Sequence, residues 1–333
     1  MTEHDAATGT MRTVRFHEYG EPADVLRLET APVPEPGPGR IRVSVHACGL
    51  APADWALCRG LFPGTLPRGI GCDVSGTVEA VGEGVTDIAV GDLVFGTADY
   101  AGQPSAGAAD RAVMGHWFAV PEGLDLTRAA ALPMALSTAA WHLARLGLSA
   151  DRTVLINGAG TTVGYAAVQI ALIRGARVIA VAGDTYARQL SALGAAVVGY
   201  GDGLVDRVTA LGVGPVDLIF DTAPPNGALP GLVQIADGAA KRVLTCSDPA
   251  AAEELGVRDS FHEDRATWTD DERFGVFPQF ARLAAEGGFT VPVSGTFPLD
   301  QWRTALEISL TGHARGKLLL LPADARGRPA RRG

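Results

Sequence analysis

The hydrophobic rhythm of the chain changes near residue 127. Before it, apolar positions fall in short runs that alternate with polar ones and are cut by Pro and Gly, as in Ala31-Pro32-Val33-Pro34-Glu35-Pro36-Gly37-Pro38-Gly39. This rhythm predicts β structure. Residues 41–46, Ile-Arg-Val-Ser-Val-His, alternate strictly and predict a half-buried strand. Residues 74–81 and 92–95 predict further strands, joined by the turn signals Gly82-Glu83-Gly84 and Val90-Gly91-Asp92. Residues 100–110 are small and weakly patterned, which predicts a surface loop.

From Thr127 the period becomes helical, through 129–132 and 137–146, with Gly147 as the stop. An apolar run at 153–156, a glycine-rich turn, a helical run to Arg174 and a second apolar run at 177–182 then read as strand, tight turn, helix, strand. Further apolar runs at 195–198, 216–221 and 242–245 are separated by helix-length segments, so a parallel sheet with right-handed crossovers is expected. Ligands of such a sheet sit at the C-terminal ends of its strands. The remainder predicts a helix at 274–286, an extended stretch at 291–299, a helix at 301–310 and a strand at 317–321. No internal repeat is present.

Length and charge narrow the field. A chain of 333 residues predicts two domains and ample core. The net charge of −9 offers no basic field for nucleic acid. Basic residues cluster in the tail (Arg326, Arg328, Arg331, Arg332), read as a flexible terminus over 323–333, and residues 1–10 are read as a disordered extension. Cys48, Cys58, Cys72 and Cys246 stand far apart without a Cys-x-x-Cys pair, which fits reduced thiols in a cytoplasm rather than a disulfide framework or a cysteine-rich zinc lobe. The N-terminus lacks the apolar core of an export signal, and no apolar run is long enough to span a membrane.

The candidate chemistry lies in the turn Asn157-Gly158-Ala159-Gly160-Thr161-Thr162-Val163-Gly164. Gly158 and Gly160 allow a sharp turn and close approach to a pyrophosphate, and Gly164 allows the helix to pack closely on the strand. Free N–H groups at the helix start then face phosphate charge. The spacing Gly-x-Gly-x-x-x-Gly is one residue longer than the usual dinucleotide fingerprint, and the flanking strands supply the context. At the end of the second strand, where NAD enzymes place an acid for the ribose 2′-hydroxyl, this chain has Ala182 and Gly183.

The order of a β-rich N-terminal part, a central dinucleotide unit and a short α/β return resembles the medium-chain dehydrogenase/reductase superfamily. Carrying the resemblance are Ala47-Cys48-Gly49-Leu50-Ala51-Pro52-Ala53-Asp54, the stretch Gly71-Cys72-Asp73-Val74-Ser75-Gly76-Thr77-Val78-Glu79-Ala80-Val81-Gly82 followed by Gly91-Asp92, then Leu136-Ser137-Thr138-Ala139-Ala140, and Ala314-Arg315-Gly316-Lys317-Leu318. The implied fold is α/β: a GroES-like catalytic domain from 11–126 and 266–322, and a Rossmann-type doubly wound parallel-sheet domain from 127–265. Substrate is then expected in the cleft between them, and a homodimer is implied, with the nucleotide-domain sheet edge near 242–247.

The zinc alcohol dehydrogenases of that superfamily use Cys, His and Cys where this chain has Ala51, Cys72 and Met134, so two of three ligands are unable to serve and no metal is expected. The chain is then similar to the zinc-free branch, quinone reductases of the zeta-crystallin type and enoyl reductases. That branch implies NADPH-dependent hydride transfer to a conjugated carbonyl, in which conjugation carries the developing charge to an oxygen that needs only a hydrogen-bond donor. The resemblance extends the cofactor set to Thr138, Gly158, Ala159, Gly160, Thr161, Thr162, Val163, Gly164, Ala182, Gly183, Arg188, Tyr200, Thr222, Thr245, Phe261 and Lys317. Arg188 and Tyr200 fit a 2′-phosphate and favour NADP, whereas Asp184 repels a phosphate unless it faces solvent or pairs with Arg188. For Thr138 a helix-capping role competes with a nicotinamide contact.

Substrate-pocket positions are Ala51, Phe62, Cys72, Tyr100 and Met134. Alanine at 51 and phenylalanine at 62 replace the branch's usual Asn and Tyr, predicting an apolar pocket without an obvious proton donor. Tyr100 and Cys72 are the candidates for that role, against an ordinary surface tyrosine and a small buried hydrophobe. The histidines lack relay spacing. A rival reading is a redox-silent member that binds an unsaturated carbonyl or catalyses a non-redox addition or cyclisation on it; polyketide-like or other secondary-metabolite acceptors suit the apolar pocket under either.

Overall fold

A computed structural model describes residues 9–261 and 269–322. The chain divides into two compact units, one of residues 1–133, 284–286 and 293–333, the other of residues 134–283 and 287–292.

The strands of the first unit are β1 (Thr10–Phe16), β2 (Arg27–Pro32), β3 (Ile41–Leu50), β4 (Arg68–Gly69), β5 (Asp73–Val81), β6 (Leu93–Ala98) and β7 (Arg111–Ala119). Those of the second are β8 (Thr153–Asn157), β9 (Arg177–Val181), β10 (Ala196–Val198), β11 (Leu218–Asp221), β12 (Val243–Thr245) and β13 (Arg258–Asp259); β14 (Val293–Pro298) and β15 (Lys317–Leu321) return to the first.

In the first unit, β14-β15-β3-β5-β6-β7 form one sheet, and β3 also pairs with β7, so the sheet curls back on itself around Ile41, Val43, Val74, Val94 and Met114. The sequence explains why β3 holds the centre. Ile41, Val43 and Val45 alternate inward, and from Ala47 to Leu50 every residue is buried, because Ala130 packs with Ala47 and over Gly49 on the face turned away from the core. A half-covered strand alternates, whereas one covered on both faces reads as a continuous apolar run.

The second unit is a parallel sheet of order β10-β9-β8-β11-β12-β13, the doubly wound arrangement with β8 at the switch point. The helix Thr162–Ile173 packs against β8 and β9 and is buried from Gly164 to Ala171. Its one buried amide is satisfied: Gln169 donates to the carbonyls of Tyr165 (3.0 Å) and Thr290 (2.8 Å) and accepts from Thr290 N–H (3.0 Å).

That amide ladder explains why the chain returns to the first unit later than expected. It fastens Thr290 to the nucleotide unit, and Phe280 meets Phe289 at 5.0 Å beneath the helix Phe277–Ala285. Residues 269–283 and 287–292 therefore fall outside the first unit, where the sequence placed them, and that unit extends to Pro133 rather than 126.

Other differences have local causes. Ordered chain begins before Met11, since Thr10 pairs with Pro32 and the Gly9 carbonyl accepts from Val33 N–H. The expected surface loop at 100–110 is core over Ser105 to Ala109: Ala108 accepts from Val14 N–H and donates to the Ile70 carbonyl, and Gly107 donates to Gly71. Only small residues fit, because a Cβ at Gly107 would lie 2.5 Å from the Gly71 oxygen. Close backbone packing thus replaces the large apolar side chains that a hydrophobic pattern needs. Nor is 242–247 the sheet edge, because β13 pairs outside β12. Among the described residues no helix is long and apolar enough to cross a membrane. The expected terminal extension over 1–8 and the tail over 323–333 lie outside the described residues.

Candidate functional site

In the second unit the glycine-rich turn joins β8 to the helix Thr162–Ile173. Gly158 has φ +75, and a Cβ there would lie 2.5 Å from Ala223 N. At Gly164 a Cβ would lie 2.2 Å from the Gly158 oxygen and 2.7 Å from Thr222 Oγ1. Both glycines are therefore required by contact, the first also by backbone conformation. Over Gly160 the nearest neighbour of a Cβ would be the Tyr186 ring at 3.6 Å, leaving its backbone approachable.

Thr161 caps this helix, its Oγ1 accepting from Gly164 N–H at 3.0 Å and lying 3.0 Å from Thr222 Oγ1. Thr222 donates towards the carbonyls of Asn157 (2.9 Å) and Gly158 (3.0 Å). Behind them Asp221 accepts from Asn157 Nδ2 (2.8 Å), Thr245 Oγ1 (2.8 Å) and Ala223 N–H (3.2 Å), joining the ends of β8, β11 and β12. Burial raises the Asp221 pKa against these bonds. Thr161, Thr222 and Thr245, all three expected in the cofactor set, thus shape the turn from behind, and Thr245 is fully buried.

At the end of β9, Ala182 is buried with its N–H on the Val198 carbonyl, and Gly183 caps the helix Asp184–Ala192. The Tyr200 ring covers Gly183, its Cε1 3.0 Å from where a Cβ would be. Asp184 and Arg188 are exposed. Sequence reasoning missed Tyr186, which stands edge-on to Tyr165 (centroids 5.3 Å) and against Gly160. Its place in the first turn after β9 was the available signal. Thr138 is in the interior of the helix Pro133–Arg145, so it is no cap; its carbonyl accepts from His142 Nδ1 at 2.6 Å, and that buried imidazole stacks on Phe220 at 5.2 Å. Phe261 N–H donates to Asp259 at 2.8 Å, and His262 lies outside the described residues.

In the first unit the sequence missed a buried polar cluster beside two of the substrate-pocket positions. Asp54, in the first turn of the helix Pro52–Cys58, accepts from Ala51 N–H (2.8 Å) and Gly71 N–H (2.7 Å). Lys317 is ion-paired with Asp73 at 2.5 Å, both side chains buried. Its stem crosses β3 at Gly49, where a Cβ would lie 2.5 Å from Lys317 Cε and 2.7 Å from the Ala130 oxygen. An ammonium buried on a carboxylate has its charge taken up there. The expectation that Lys317 binds cofactor is therefore replaced by a structural role within β15.

Cys72 is half-buried, and burial first, then Asp73 and Asp54, push its thiol well up, so it stays protonated at neutrality and is a poor proton donor. Tyr100 and Phe62 are half-buried and pack against the first unit's core. A methyl at Ala51 offers no lone pair, and no group of three His, Cys, Asp or Glu side chains suited to a metal occurs among the described residues. This donor set does not fit tetrahedral zinc.

Burial is the main cause that pushes Asp54 up to about 6, with Asp73 adding to it, while its two backbone bonds and Lys317 pull it down. The native chain then holds this proton more tightly than the unfolded chain, whose carboxylates titrate near 4. The resulting stability is complete below about pH 4 and is lost as pH rises through about 6, a change of roughly 3 kcal/mol. Chemical denaturation across this range should show Asp54→Asn lacking that part of the wild-type slope; parallel profiles would refute it.

Two family models match the chain: the alcohol dehydrogenase GroES-like domain over residues 37–126 and the zinc-binding dehydrogenase domain over 193–320. A quinone oxidoreductase of Rattus norvegicus is 30% identical over 337 residues, covering 95% of this chain and 99% of that protein. The chain belongs to the medium-chain dehydrogenase/reductase superfamily, on its quinone oxidoreductase branch. Within that superfamily, a mycobacterial protein solved in complex with NADPH has a TM-score of 0.75 and 26% identity, covering 94% of this chain and all of that one (100%). The phthioceranic/hydroxyphthioceranic acid synthase of Mycobacterium bovis is 30% identical over 321 residues, 90% of this chain and 15% of the synthase.

Proposed function

We propose that this chain is a zinc-free, NADPH-dependent reductase that transfers hydride to the far carbon of a conjugated carbonyl: a quinone, an enone or an enoyl ester. The observation that carries the reading is the turn at Gly158 and Gly164, where two backbones approach so closely that no Cβ fits, at the switch point of a parallel sheet. The rat relative's name supports the quinone class, and the likeness to part of an acid synthase keeps acyl acceptors within it. NADPH as cofactor is supported by the mycobacterial neighbour and by Ala182 where an acid would select NAD, with Arg188 and Tyr200 as its 2′-phosphate contacts.

The N–H groups of the turn hold the pyrophosphate, while Thr222, Asp221 and Asn157 fix the turn's shape from behind. Bound NADPH supplies the hydride. As hydride reaches the acceptor, the C=C electron pair moves towards the carbonyl oxygen, and a proton from water completes the α-carbon. Ala51 and Phe62 offer an apolar surface to a flat acceptor, and no metal is needed to polarise it.

Deuteride-labelled NADPH tests this directly. Mass spectrometry of the reduced acceptor should find one deuterium, on the carbon β to the carbonyl for an enone. Unlabelled product, or acceptor converted without NADPH oxidation, would point instead to a non-redox addition or cyclisation.

A further inference from the structure

We propose that Asp54 is a positioning residue for the acceptor site, holding the backbone at Ala51 and the backbone at Gly71, which carries Cys72, in one fixed relation. This rests on the reductase reading above, because Ala51 and Cys72 matter as acceptor-facing positions only under it. Asp54 has 1% of its surface exposed. One carboxylate oxygen takes Ala51 N–H at 2.8 Å and the other takes Gly71 N–H at 2.7 Å, so a single side chain joins two segments of the chain.

The Gly71 turn needs such a tie. It has φ +87, and it is wedged so tightly that a Cβ would lie 2.2 Å from Cys48 Sγ and 2.9 Å from Ala108 N. Its carbonyl accepts from Gly107 N–H at 2.8 Å. On the other side of Cys72, Asp73 is anchored by Lys317 at 2.5 Å. Cys72 therefore stands between two buried charged anchors, the Asp54 carboxylate acting on the residue before it and the Lys317 ammonium on the residue after it.

An ionised carboxylate can accept both N–H groups, whereas a side-chain amide can accept only one and turns an N–H donor towards the other. Asp54→Asn thus releases one of the two segments without changing size. Asp54→Glu keeps both acceptors and displaces them by one methylene.

The test compares wild type, Asp54→Asn and Asp54→Glu in steady-state kinetics with NADPH and 1,4-naphthoquinone as acceptor, and in maleimide labelling mapped by peptide mass. Asp54→Asn should raise the acceptor KM about tenfold, the effect of losing one hydrogen bond to a charged group. Asp54→Glu should raise it less, and the NADPH KM should be unchanged in both. Labelling at Cys72 should accelerate in Asp54→Asn, with Cys246, which lies in the other unit, as the unchanged internal control. Variants that unfold more easily yet keep the wild-type acceptor KM and Cys72 labelling rate would overturn the proposal and leave Asp54 a purely structural residue. If Asp54→Asn does not fold, unchanged values in Asp54→Glu overturn it equally. Should wild type reduce no acceptor, the reductase reading fails, while the ratio of Cys72 to Cys246 labelling still decides whether Asp54 positions the Gly71 turn.

Discussion

Lys317→Met will destabilise the first unit by about 3–5 kcal/mol in chemical denaturation, because it removes the ammonium from a buried ion pair with Asp73. Leucine at position 73 in the same chain should recover most of that loss, since replacing both members of a buried pair by apolar side chains is close to neutral. The ammonium also lowers the pKa of Asp54 and of the Cys48 and Cys72 thiols. Its removal should therefore raise Asp54 further and slow maleimide labelling at Cys72, so stability and thiol chemistry change together. A single variant as stable as wild type would mean that water or another group already screens Asp73.

Gly158→Ala will weaken NADPH binding about 100-fold in a fluorescence titration, the order of loss expected when a binding group is displaced by about 1 Å. Two costs coincide there. The backbone at φ +75 is strained for any L side chain, and the new methyl would sit 2.5 Å from Ala223 N and 2.7 Å from Ala223 Cα. Relief requires the turn to move away from the end of β11, carrying its N–H groups out of line with the pyrophosphate. Gly147→Ala separates the two costs: φ is +77 there, but nothing lies within 4 Å of a Cβ. It should lose some stability, roughly 1–2 kcal/mol, and bind NADPH as wild type does. Equal affinity in Gly158→Ala and wild type would remove the turn from the cofactor site.

Elements that bury themselves by simple periodicity were legible in the sequence. The strand Lys317–Leu321 lies where its apolar run placed it, and β8, the glycine-rich turn, the following helix and β9 appear in the expected order. What the sequence hid depends on neighbours distant along the chain. Residues 105–109 look like loop because alanine and glycine carry little hydrophobic signal, yet they fill a gap between β1 and Gly71 that larger residues cannot enter. Lys317 looks like a ligand-facing cation until Gly49 and Asp73 are found around its stem. Asp54 looks like an ordinary residue of a helical first turn until the Gly71 N–H appears above it.

The residues expected at the cofactor divide in the same way. Glycine positions are readable because conformation and close approach leave few alternatives to glycine. Thr222 and Thr245 were expected at the cofactor, but their hydroxyls face Asn157 and Asp221, an orientation that only the fold reveals. Tyr186 escaped notice because an aromatic residue in a helical turn carries no chemistry until a bare glycine backbone is found against it.

The most direct test of the account is the fall in nicotinamide absorbance with purified protein across a small panel of quinones, enones and enoyl thioesters, with NADPH and NADH in parallel. Turnover with at least one conjugated acceptor is expected, favouring NADPH and undiminished by a zinc chelator. Measurable NADPH binding without turnover on any acceptor would contradict it and leave a redox-silent member of the superfamily.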